Sequence, residues 1–321
     1  MPKLVVMPPL DELKRRFAGR LPADLPQFRV VAPETEAAAR RELADTDAAF
    51  GWVPPDLLPA AGRLRWLQNP DAGPRAGYFY PALIEHPVVV CNPRGIYNDH
   101  ISQHVMMFLL ALARGLPYYV AAHGRRRWDP EARPGPALDL ATATAVIVGV
   151  GGVGQETARL CGAFGMRVVG VDPRWEHAAP AVERHGPDGL DAVLPQADVV
   201  IATTPHTPET EGMWNSRRFR LMKPTAFFIN IGRGRTVRLD ELTAALEGGE
   251  IAGCGLDVFE IEPLPADHRL WALPNVLLTP HIAVKDAENL PERRYQVLLE
   301  NARRFAAGEP LRNVVDKAAW Y

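Results

Sequence analysis

A strand-like run, four clustered glycines and a helix-like run follow one another in AVIVGVGGVGQETARLCGAFG (145–165). Few folds need that order. A buried strand turns sharply at Gly149, lets a ligand approach the backbone at Gly151, and enters a closely packed helix at Gly154, with Gly152 and Val153 opening it. The next apolar run, RVVGVD (167–172), ends on Asp172, 18 positions after Gly154. The pattern is that of a dinucleotide-binding half-sheet. The helix start offers unpaired N–H groups to phosphates. A carboxylate at the end of the second strand accepts bonds from ribose hydroxyls and repels a 2′-phosphate, so NAD is expected rather than NADP. Arg174, two residues on, is the neighbouring residue that favours the opposite choice.

Around this motif short apolar runs alternate with helical stretches. LVVMP (4–8), FRVVAP (28–33), DAAFGWV (47–53), RWLQNP (65–70) and PVVVCN (87–92) read as buried strands, with ELKRRFAG and EAAARRELA as helices between the first of them. This defines a first α/β unit over roughly residues 1–100. ISQHVMMFLLALAR (101–114) is apolar almost all round, as expected of a helix buried between domains or subunits. Residues 121–142, rich in Pro, Gly and Arg, break the pattern. A second series then runs through AVIVGV (145–150), RVVGVD, ADVVIATT (197–204), AFFINIG (226–232), IAGCGLDV (251–258) and VLLTPH (276–281), and a last helix spans approximately 286–307. The reading is two α/β lobes with a cleft between them.

Composition narrows the function. With 36 basic and 38 acidic residues the formal net charge is −2, which gives no general attraction to nucleic acid or anionic lipid. Arg125–Arg126–Arg127 and Trp128 read as a solvated loop, since no wider basic field surrounds them. Cys91, Cys161 and Cys254 lie in apolar surroundings without a CxxC pair, and read as buried small hydrophobes. His100 and His104 stand at helical spacing without an evident third ligand, so no metal is expected. No apolar stretch has the length of a signal peptide or a membrane span, and a cytoplasmic protein is expected.

Three later stretches carry chemistry: NIGRG (230–234), LDVFEIEPLP (256–265) and LLTPHI (277–282). Each places a polar residue near the end of an expected strand, where open parallel sheets bind ligands. Arg233, between glycines, has the planar fork that holds a carboxylate bidentately. His281 is suited to give a proton to a carbonyl oxygen near neutral pH. Glu262, 19 residues earlier, is placed to set its tautomer and favour the imidazolium.

With GVGGVG, VDP, TTPHTPET, NIGRG, LDVFEIEP and TPHI in this order, the chain resembles the D-isomer-specific 2-hydroxyacid dehydrogenase family over nearly its whole length. The resemblance implies a flavodoxin-like substrate domain from both chain ends (1–100 and 285–321) and a Rossmann dinucleotide-binding domain between them (101–284), hinged near residues 100 and 285. It implies catalysis by Arg233, Glu262 and His281. Thr204, Pro205, Ile231 and Asp257 become cofactor contacts beside the glycines, Asp257 at the nicotinamide carboxamide. The backbone at Ala72 and Gly73, in QNPDAG, becomes a holder of the substrate carboxylate, with Arg233 and His281. Tyr97 and Asn98, in GIYNDH, are further pocket candidates. Homodimers built on the helix after the first domain are usual in such proteins. Departures occur at Asp71-Ala72-Gly73-Pro74-Arg75, at Gln103 where Glu is common, and at Ile282-Ala283-Val284-Lys285 after the histidine. They leave the reaction, NAD-linked interconversion of a 2-keto acid and a D-2-hydroxy acid, in place and the substrate open. The alternative from another class is a non-catalytic NADH-dependent binding protein like the co-repressors that share this fold.

Overall fold

In a computed structural model of the chain, residues 1–73, 77–132, 134–175 and 182–320 are described. The chain divides into two compact units, Met1–Ile96 with Ala287–Tyr321, and Tyr97–Asp286.

The first unit carries five strands, β1 (Lys3–Val6), β2 (Arg29–Val31), β3 (Ala48–Phe50), β4 (Trp66–Gln68) and β5 (Val89–Cys91). They pair in parallel in the order β2-β1-β3-β4-β5, the flavodoxin-like arrangement. Side-chain alternation builds a core on each face. Val5, Ala49, Leu67 and Val90 pack on one side with Ala39 and Leu43. Leu4, Val6, Ala48, Phe50 and Trp66 pack on the other with Phe17 and Leu21. The helices α1 (Glu12–Asp24) and α2 (Glu36–Leu43) start where Asp11 and Thr35 accept hydrogen bonds from the N–H groups of Lys14 and Ala38. A short α3 (Pro81–Glu85) precedes β5. The C-terminal helix, Leu290–Ala307, returns to this unit because Tyr295, Leu298, Leu299 and Ala302 form one apolar stripe that completes the Phe17 core. Arg20 reaches Glu292 at 2.5 Å across this contact, and that guanidinium holds the Glu292 carboxyl at about 2.

The second unit carries β6 (Thr144–Val148), β7 (Arg167–Val171), β8 (Val182–His185), β9 (Val199–Ala202), β10 (Phe227–Asn230), β11 (Gly253–Leu256) and β12 (Val276–Leu278). Their order is β12-β11-β10-β9-β6-β7-β8 with parallel pairing throughout. This is a Rossmann sheet, with its direction of winding reversed between β6 and β9, the position at which such sheets bind ligands. The helices are α4 (Asn98–Ala113), α5 (Leu116–Gly124), α6 (Gly152–Ala163), α7 (Leu190–Val193), α8 (Ser216–Phe219) and α9 (Leu239–Glu247). Ala145 and Ile147 face Val105, Phe108 and Leu109 of α4. Val146 and Val148 face Trp214, Phe228 and Leu242.

Each apolar run expected to be a strand forms one, shortened because pairing ends where the loops turn away. β8 has no counterpart among those expectations: VERH has a single buried residue, Val182, and pairs at the sheet edge with β7. The three cysteines are buried. Burial pushes the thiols of Cys91 and Cys161 up to about 12 and that of Cys254 upward as well, which leaves them inert as nucleophiles. Among the described residues no single helix is long and apolar enough to cross a membrane.

Candidate active site

The glycine loop is built by close backbone packing between β6 and its neighbours. Gly149 has φ +95°, and a Cβ there would lie 2.9 Å from the Thr204 nitrogen. A Cβ on Gly154 would lie 2.0 Å from the Gly149 carbonyl oxygen, so α6 leaves the loop as tightly as two backbones allow. Gly151 differs: among the described residues nothing beyond its own chain neighbours comes within 4 Å of where a Cβ would lie. Space is therefore open above the start of a 12-residue helix, where N–H groups point outward. Gly152 is covered by the Asn98 side chain, whose Nδ2 would be 2.5 Å from a Cβ, and Val153 joins the α4-side core.

Asp172 ends β7 beside this loop. Its Oδ2 accepts the Val150 N–H at 2.6 Å and its Oδ1 the Arg174 N–H at 2.7 Å. The carboxylate thus braces the loop and keeps lone pairs for further donors. Across the loop, Thr203 Oγ1 donates to the Gly149 carbonyl, and Ile231 is buried with its N–H on Ala202. The Pro205 carbonyl accepts from Thr210. Thr204 Oγ1 is buried without a hydrogen-bond partner. An orphaned hydroxyl and an open glycine cradle, with a carboxylate at the next strand end, fit a bound dinucleotide.

Two strands away, Asn230 at the end of β10 shapes the turn that carries Arg233. Asn230 Oδ1 accepts the Gly232 N–H at 3.1 Å, while its Nδ2 donates to the Arg233 carbonyl at 3.2 Å. Thr236 Oγ1 donates to the same carbonyl at 2.7 Å. Gly234 fits because a Cβ would lie 1.8 Å from the Phe259 carbonyl oxygen. The Arg233 turn is thereby set backbone to backbone against the segment leading to Glu262. Arg233 is half-buried, and its Nη1 donates to Gly232 O at 2.7 Å.

His281 and Glu262 are brought together. His281 Nδ1 lies 2.9 Å from Glu262 Oε2, and Glu262 Oε1 accepts the Phe259 N–H at 3.0 Å. A carboxylate only accepts, so Nδ1 carries the proton and Nε2 is left for exchange with a ligand. The imidazole side chain is 52% exposed, open to a substrate. His281 holds φ +54°, a left-handed conformation that costs a residue with a Cβ roughly 1–2 kcal/mol. Asp257, 1% exposed, offsets that cost: its carbonyl takes the His281 N–H at 2.8 Å. Its carboxylate takes the N–H groups of Ile282 and Ala283 at 2.8 and 3.1 Å.

In the first unit, Ala72 and Gly73 follow β4. Asn69 Oδ1 accepts from the Asp71 N–H at 3.0 Å, and Asn92 Nδ2 donates to the Ala72 carbonyl at 2.8 Å. Pro74 and Arg75 lie outside the described residues. Tyr97 precedes α4 in the second unit and is 7% exposed, so most of its ring is packed rather than presented.

Residues 106–283 match the family model of the D-isomer specific 2-hydroxyacid dehydrogenase NAD binding domain. The chain belongs to the D-isomer-specific 2-hydroxyacid dehydrogenase family. A glyoxylate reductase of Thermofilum pendens is 31% identical over 261 residues, covering 78% of this chain and 76% of that protein. The crystal structure of a D-isomer specific 2-hydroxyacid dehydrogenase from Xanthobacter autotrophicus Py2, in complex with NADPH and MES, superposes with a TM-score of 0.86. It is 29% identical and covers 100% of this chain and 99% of that one. An NADPH-dependent glyoxylate/hydroxypyruvate reductase from Sinorhizobium meliloti, in complex with NADP and sulfate, gives a TM-score of 0.83 at 28% identity, with 100% of both chains covered.

As a 2-hydroxyacid dehydrogenase the chain has helpers that its motifs do not announce. Asn230 and Asn92 hold backbone turns and Thr279 Oγ1 donates to the Asp257 carboxylate at 2.6 Å, so composition gives no sign of them. Asn230 and Thr279 stand in NIGRG and TPHI, but neither motif says what they hold.

Proposed function

We propose that the protein reduces small 2-keto acids to D-2-hydroxy acids with NADH, and that Arg233, Glu262 and His281 carry the chemistry. The observation that carries this reading is the 2.9 Å His281–Glu262 pair beyond the β12 end of the same sheet whose switch point holds the glycine cradle. Bound NADH supplies the hydride. Arg233 holds the substrate carboxylate through its fork and polarises the adjacent carbonyl. On this reading the first unit is the substrate-binding domain, and the family resemblance assigns its Ala72–Gly73 backbone to the substrate carboxylate. His281 delivers the Nε2 proton to the developing alkoxide, and Glu262 stabilises the imidazolium before transfer and fixes the tautomer. Gly149, Gly151, Gly152, Val153 and Gly154 seat the pyrophosphate, with Thr204, Pro205 and Ile231 along the dinucleotide. Asp257 serves first by holding the His281 turn, and a carboxamide contact would use the carboxylate lone pairs left by Thr279 Oγ1 and the N–H groups of Ile282 and Ala283. The His281–Glu262 pair also favours an enzyme over a non-catalytic NADH-binding protein. The test is NADH oxidation across glyoxylate, hydroxypyruvate and phenylpyruvate. Turnover with a clear preference supports the reading; NADH binding without turnover of any 2-keto acid removes it.

NAD is proposed over NADP on Asp172, although structural relatives were crystallised with NADPH or NADP. A 2′-phosphate beside this carboxylate is repelled, and kcat/KM should favour NADH by at least about tenfold. Asp172→Ser should narrow that ratio while raising KM for both cofactors, because Val150 N–H loses its acceptor. An unchanged ratio would assign the preference elsewhere.

A second copy of the chain is the proposed partner of α4 and α5, which leave Met107, Leu116, Tyr119 and Val120 exposed. An apolar cluster of this kind marks an interaction surface. Light scattering should give twice the chain mass, and a monomer at micromolar concentration would dismiss the dimer.

A further inference from the structure

We propose that His104 is a positioning residue for the proton donor, fixing through Thr279 and Asp257 the turn that aims His281. The role of His281 rests on the functional reading above; the linkage rests on geometry alone.

Thr279 Oγ1 lies 2.6 Å from Asp257 Oδ1 and 2.9 Å from His104 Nε2. The buried carboxylate can only accept, so the single hydroxyl proton of Thr279 goes to Asp257. The hydroxyl oxygen must then accept from His104, and Nε2 carries a proton. Burial pushes His104 below the usual histidine range, against the opposing pull of Asp257, and the ring is neutral in its Nε2–H form. The ring is fixed edge-on to Phe108, with centroids 4.9 Å apart and planes at 90°. Phe108 is itself seated on Gly255, where a Cβ would lie 2.6 Å from its Cγ. One turn of α4 thus docks on β11 and presents a single donor to the end of β12.

The chain of contacts ends at the catalytic turn. The Asp257 carboxylate binds the N–H groups of Ile282 and Ala283, and its backbone carbonyl that of His281. His281 keeps its left-handed backbone because these contacts over-determine it. Without the His104 donor, the Thr279 hydroxyl is free to rotate away. Asp257 then loses a partner and the His281–Glu262 alignment slackens.

The test compares His104→Phe, which keeps a ring against Phe108 and removes the donor, with His104→Gln, whose amide can donate. Thr279→Val and Thr279→Ser form a second pair. Two readouts are needed: the His281 imidazole titration midpoint by ¹⁵N-edited NMR on histidine-labelled protein, and kcat against KM for a 2-keto acid. Expected is a lower His281 midpoint and a loss of about tenfold in kcat for His104→Phe and Thr279→Val, since small misplacements of reacting groups have effects of this order or larger. The KM for NADH should stay within about twofold, and the Gln and Ser variants should recover most of the loss. If His104→Phe and Thr279→Val lower only the melting temperature, with the midpoint and kcat as in the wild type, His104 is a packing residue and the proposal falls. Absence of turnover in the wild type itself would strike the functional reading, while the NMR midpoints still decide the linkage.

Discussion

Replacing His281 with asparagine is expected to lower kcat for 2-keto acid reduction by about 10³-fold, within the range general acid catalysis supplies, while NADH still binds. Asparagine is the informative choice because it tolerates the left-handed backbone of this position better than other residues with a Cβ. The turn held by Asp257 should survive, and the loss then reports the missing proton donor. Carbonyl reduction without a donor leaves an alkoxide next to the hydride-accepting carbon, and solvent is a poor substitute for a positioned acid. Fluorescence titration with NADH separates the two explanations of a dead variant. Retained binding assigns chemistry to His281. Loss of binding together with turnover assigns it a structural part in the turn.

Arg233→Ala is expected to reduce kcat/KM by about 30- to 5,000-fold, since truncating one member of a desolvated charge pair costs about 2–5 kcal/mol and each 1.36 kcal/mol is about tenfold in rate. Both parameters should change. Holding the carboxylate belongs to the ground state and raises KM when lost, whereas polarising the carbonyl belongs to the transition state and lowers kcat. Arg233→Lys should recover only part, because an ammonium lacks the two-pronged geometry. Steady-state kinetics on both variants decide it. A variant changed in KM alone would confine Arg233 to binding, and one changed in neither would place the substrate elsewhere.

Much of the fold and part of the site are legible in the amino-acid sequence. The glycine spacing, the strand-ending Asp172 and the alternation of apolar runs each follow from local steric and burial requirements, and local requirements leave marks in sequence. Glu262 and His281 pair by residue type and motif order, and the 2.9 Å contact shows the fold bringing them together. The features that leave no such mark depend on tertiary neighbours. VERH forms β8 because β7 offers it an edge, not because its residues favour a strand. Gly234 reads only as one of the glycines flanking Arg233, and the fold adds that Phe259 fills the space a side chain there would need. His104 reads as a histidine at a helix start, and its neighbours Thr279 and Asp257 are 175 and 153 positions away along the chain. Tyr97 stands in a loop that suggests a pocket, yet the fold buries most of its ring.

The most direct test of the reaction uses NADH deuterated at both C4 positions with hydroxypyruvate, followed by chiral chromatography and mass spectrometry of the product. The account predicts deuterium on carbon 2 of a D-2-hydroxy acid. Unlabelled product, product of the L configuration, or no product from protein that binds NADH would contradict it.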